Sequence, residues 1–71
     1  MDAQEIINSR KETAAAFVSG IIDIFNKEIE ELAEKQKTAD KREFALLTDR
    51  INVVRERRNK TMNIWYGIRS I

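Results

Sequence analysis

One apolar row constrains this chain more than any other feature. Phe44, Leu47, Ile51 and Val54 step by three and four residues, and after Arg58 the row resumes at Thr61 or Met62, Trp65 and Ile68. That spacing lines side chains along one face of a helix. The chain has no proline, and its two glycines are Gly20 and Gly67, so nothing marks the strand and turn pattern of a sheet. The rest of the molecule has to cover this stripe.

The first half predicts the cover. Ile6, Ile7, Ala14, Phe17, Val18, Ile21, Ile22, Phe25, Ile29 and Leu32 recur mainly at three- and four-residue steps. Asp2 is placed to cap this helix, with Glu5 three residues on in an acidic capping box. Lys35 and Lys37 suit a helix C-terminus, where the macrodipole is negative. Asp40 then reads as a second N-cap, with Glu43 at N3 and Phe44 at N4. The expected fold is all-α, an antiparallel two-helix hairpin in a single domain, 1–71. Its helices span about 2–36 and 41–70, and its turn about 37–40. Because no glycine marks a C-cap between the halves, one continuous helix is the alternative. A turn centred near residue 38 makes facing residue numbers sum to roughly 76. That register sets Leu32 against Phe44, Phe25 against Ile51 and Val18 against Arg58. It also sets the small Ala14-Ala15-Ala16 run near Met62 and Trp65.

A hairpin of 71 residues is a thin domain. One core of this size rarely supplies more than roughly 3–5 kcal/mol, and small chains usually add a disulfide, a metal or a second subunit. Cysteine and histidine are both absent, which excludes disulfides, thiolate sites and imidazole ligands. The apolar arcs also outrun one partner helix. Phe17, Val18, Ile21, Ile22, Ile24 and Phe25 crowd nine residues of the first half, and Leu46, Val53 and Ile64 lie beside the main stripe of the second. Assembly into a four-helix bundle or larger helical oligomer is therefore expected. Charge points the same way. Residues 1–40 hold five Lys/Arg and nine Asp/Glu, a balance of −4, whereas residues 41–71 hold eight and three, a balance of +5.

Candidate site residues fall into two groups. Arg50, Arg55, Arg57, Arg58, Lys60, Tyr66 and Arg69 are candidates for holding an anion or a partner, since arginine pairs bidentately with phosphate and aromatics stack on bases. Their structural reading is a solvated or ion-paired surface, with Glu28, Glu30, Glu31 and Glu34 as available acids. Arg58 stands apart, because a charge on an apolar seam sets register or snorkels to water. Phe17, Ile21, Phe25, Phe44, Ile51, Val54, Met62 and Trp65 are candidates for core or subunit interface. Glu30 and Glu34, one turn apart, read as a solvated face rather than a cation site. Gly20, in mid-helix, suggests a close helix approach or a slight bend.

No catalytic constellation is present: the serines have no histidine to activate them, and no phosphate-binding loop occurs. No cofactor is implied. The expected function is that of a small non-enzymatic helical interaction protein, a regulator, inhibitor or chaperone of a partner protein, acting as an oligomer. The alternative is an anion-binding module for nucleic acid or a phosphorylated small ligand, through the basic half of the second helix. The format is similar to that of small dimerising helical hairpins such as plasmid-copy regulators, secretion-chaperone subunits and compact phage inhibitors, a likeness of architecture with no shared motif. With no apolar run near the ~20 residues of a membrane span and no secretion signal, a cytoplasmic or host-cytoplasmic chain is expected.

Overall fold

The computed structural model describes residues 2–71 and consists of two helices, α1 (Ala3–Gln36) and α2 (Lys41–Arg69), folded back on one another as a hairpin. The continuous-helix alternative is thereby discarded. Both N-termini are closed as expected. The Asp2 carboxylate accepts a 2.8 Å hydrogen bond from the Glu5 amide, and Asp40 accepts one of 2.8 Å from the Glu43 amide. Caps of this kind contribute about 0.5–2 kcal/mol each. At the far end of α1 the amides of Lys37, Thr38 and Ala39 bond back to the carbonyls of Glu34, Lys35 and Gln36. This tightened last turn ends the helix without glycine, and no residue among those described adopts positive φ.

The register differs from the expected one by two to eight positions, at most about two turns of helix. Asn26 pairs with Arg58 and Gln36 with Thr48, so those facing numbers add to 84; Lys11 with Ile71 gives 82, and Glu28 with Arg50 gives 78. The offset is visible at the turn. The Gln36 side-chain amide donates to the Thr48 hydroxyl at 2.8 Å and to the Phe44 carbonyl at 3.4 Å. The last residue of α1 thus meets the second turn of α2, and the first turn of α2 projects beyond it. Arg58 lies level with Asn26, not Val18, and Ala14 lines a groove with Ile68.

The hairpin is long and shallow, with extents of 59 × 15 × 9 Å. Its core is correspondingly slight: Ala15, Ile51 and Val54 are buried, with Val54 fully so. Ile22, Phe25 and Ile29 of α1 and Leu47, Met62, Trp65 and Ile68 of α2 are half-buried around them. The apolar row of α2 is therefore its inward face, except that Phe44, at the end of the row, is 50% exposed. A Cβ added at Gly20 would meet nothing within 4 Å, so no close approach inside the hairpin requires that glycine. No helix among the described residues is long and apolar enough to cross a membrane.

Candidate interaction face

Exposed large apolar side chains gather on one side of the hairpin. In α2, Leu46, Val53 and Ile64 are separated by seven and eleven residues, which at about 100° per residue returns them to within roughly 20° of one azimuth. They are 62%, 42% and 59% exposed. In α1, Phe17 and Ile24 are 73% and 66% exposed and lie about 160–180° round the helix from buried Ala15. Half-buried Ile21 fills the arc between them and the α1–α2 seam. The ion pair of Arg50 Nη2 with Glu28 Oε1, at 3.2 Å, joins the edge of α2 that carries the Leu46 stripe to the edge of α1 that carries Ile21. Both apolar arcs therefore belong to the same face.

The face runs the length of the molecule. Near the connection Leu46 and Leu47 line a shallow groove with Lys35, Thr38 and Glu43. At the open end Ile7, Ala14, Ile68 and Ile71 line another with the stems of Arg10 and Lys11. Across the hairpin the opposite face carries Glu12, Asp23 and Glu30 from α1 with Asn52, Arg55 and Asn59 from α2, all exposed. Phe44 and Tyr66 are the large rings on that polar side.

The basic candidates do not converge. Arg58 is half-buried on the seam, where Nη1 donates to Asn26 Oδ1 at 3.1 Å while Nε and Nη2 reach Asn59 Oδ1 at 3.4 and 3.3 Å. Arg50 is committed to Glu28, and Lys60 pairs with Glu56 at 3.4 Å on the same helix. Arg55 and Arg57 have no ion pair among the described residues and sit about 160° apart round α2. At the open end a small aromatic group forms instead. Trp65 and Tyr66 meet edge-on with centroids 5.2 Å apart, and the Arg69 guanidinium lies 5.8 Å from the Trp65 ring centroid. Glu34 pairs with Lys37 at 2.9 Å rather than with Glu30.

Among the apolar candidates, Ile51 and Val54 are core, whereas Ile21, Phe25, Met62 and Trp65 are half-buried. Phe17 and Phe44 are exposed. Trp65 is half-buried on the inward face of α2, while Ala14 lines the open-end groove with Ile68. One feature escaped the sequence reading. Asn26 partners Arg58, and its signal was its place between Ile22 and Ile29 at steps of four and three. Ile24, Leu46, Val53 and Ile64, expected from the sequence as apolar excess beside the main stripes, are all exposed. No family model, curated protein or solved structure matches the chain.

Proposed function

We propose that this chain is a non-enzymatic helical interaction protein, a regulator, inhibitor or chaperone of a partner protein acting as an oligomer, whose association surface is the apolar face of the hairpin. The observation that carries the reading is the segregation of exposed side chains: Phe17, Ile24, Leu46, Val53 and Ile64 share one face while the other is polar. Scattered exposed apolar residues are ordinary, but a continuous apolar face rimmed by charge marks an interaction surface. Arg57 lies within the stripe, eleven residues from Leu46 and seven from Ile64, with Arg50 and Lys60 at its edges, and these cations would orient an acidic partner.

A second reading is supported by Arg55 and Arg57, which have no ion pair among the described residues and can meet an anionic ligand. One experiment separates the two. The parent chain, a Phe17→Ser/Ile24→Ser/Ile64→Ser variant and an Arg55→Ala/Arg57→Ala variant are used as baits in host extract, at low and high salt, with helicity of each checked by circular dichroism. Under the interaction reading, the captured protein survives high salt and the arginine changes, and is lost with the serine variant. Capture of nucleic acid or retention on heparin that falls steeply with salt and vanishes with the arginine variant contradicts that reading and favours the second.

A further inference from the structure

We infer that the occupant of the apolar face is a second copy of this chain, seated so that α1 of each lies across α2 of the other, with both connections at the same end of a four-helix bundle. The inference rests on the reading of that face as an interaction surface and names its partner. Area supports one additional copy. The chain exposes 5676 Å², whereas a folded monomer of 8.3 kDa is expected to expose about 4,600 Å². The excess of about 1,100 Å² is close to the roughly 800 Å² that each partner contributes to a standard interface. A face that carries Phe17, Ile24 and Glu28 on α1, and Leu46, Val53 and Ile64 with Arg50 and Arg57 on α2, is also self-complementary under a two-fold axis.

Charge selects among the two-fold arrangements. An axis across the helices would lay α1 on the partner's α1 and α2 on the partner's α2. Arg57 and Lys60, near mid-length, would then meet their own copies. An axis parallel to the helices instead lays α1, with Glu28 at this face, over the partner's α2, with Arg50, Arg57 and Lys60. Because paired positions add to about 82, Phe17 then lies level with the partner's Ile64. In the same way Arg57 falls within one turn of the partner's Glu28, itself 36% exposed at its side chain. Ile24 then falls between the partner's Val53 and Ile64, and the ion pair of Arg50 with Glu28 becomes part of a charge row at the edge.

Because the chain has no cysteine, a single introduced one reports the geometry cleanly. Thr38→Cys, in the exposed connection, is labelled with a nitroxide, and the interspin distance is measured by pulsed electron resonance alongside sedimentation equilibrium at micromolar concentration. The expected results are a species of twice the chain mass and a separation within about 30 Å, since packed helices lie only 8–10 Å apart. Arg57→Glu should raise the dimer Kd at least about tenfold, and adding Glu28→Lys should recover it. A dimer whose labels approach the 59 Å length of the hairpin overturns the arrangement. A helical monomer overturns the inference altogether. If that monomer binds an apolar dye, and loses it with Phe17→Ser/Ile64→Ser, the face itself still stands as an interaction surface. If it binds none, that reading falls as well.

Discussion

Ile51→Ala is expected to unfold the chain at micromolar concentration. Ile51 is 7% exposed and sits in a core of three buried residues, beside fully buried Val54. Removing an isoleucine side chain to the β-carbon from a packed site costs about 2–5 kcal/mol. A domain of this size has roughly 3–5 kcal/mol to lose. The core therefore has no reserve, and circular dichroism should show the helical signal lost or a melting transition beginning near room temperature. Ile71→Ala removes the same atoms from a side chain that is 83% exposed and should change stability by less than about 0.5 kcal/mol. Equal effects of the two changes would show that the α1–α2 seam is not where the chain's stability resides.

The second large effect has the opposite sign. Arg58 and Asn26 form a polar layer in the seam, joined at 3.1 Å, with both side chains half-buried. Each gives up hydration for a single bond between them, and an apolar pair of similar volume would not. The double change Asn26→Leu/Arg58→Leu should therefore raise stability by about 1–4 kcal/mol. At roughly 4–8 °C per kcal/mol for a chain this short, the rise in Tm is easily read. The cost is specificity. An all-apolar seam has no position at which only one register satisfies its polar groups. The variant should therefore show broadened or doubled amide resonances near residues 26 and 58. A variant less stable than the parent, with a single sharp set of resonances, would show that the layer contributes net stability instead.

The polar layer also illustrates how far the sequence could be read. Helix ends were legible almost to the residue, because a cap is a local bargain: Asp40, Glu43 and the lysines before them sit within a few positions of one another. Pairing between helices was not, because it depends on how the connection rises into α2. Gln36 bonds to both Phe44 and Thr48 at this point, and nothing in its neighbours announces those contacts. Arg58 comes level with Asn26 in the same offset. The width of each apolar arc was also readable, which is why oligomer formation was expected. Which part of an arc turns toward the sister helix was not. Periodicity alone put Phe17, Phe44 and Ile51 in one class, and packing leaves the first two exposed and buries the third.

The central claim is that this hairpin is completed by covering its apolar face. The most direct measurement is the thermal midpoint of the unmodified chain as a function of its concentration, from about 1 to 100 μM. When only the associated state is well folded, mass action couples stability to concentration. The midpoint should then rise steadily across that range, with the slope abolished in Phe17→Ser/Ile64→Ser. A cooperative midpoint that stays fixed from the lowest concentration to the highest would contradict the account.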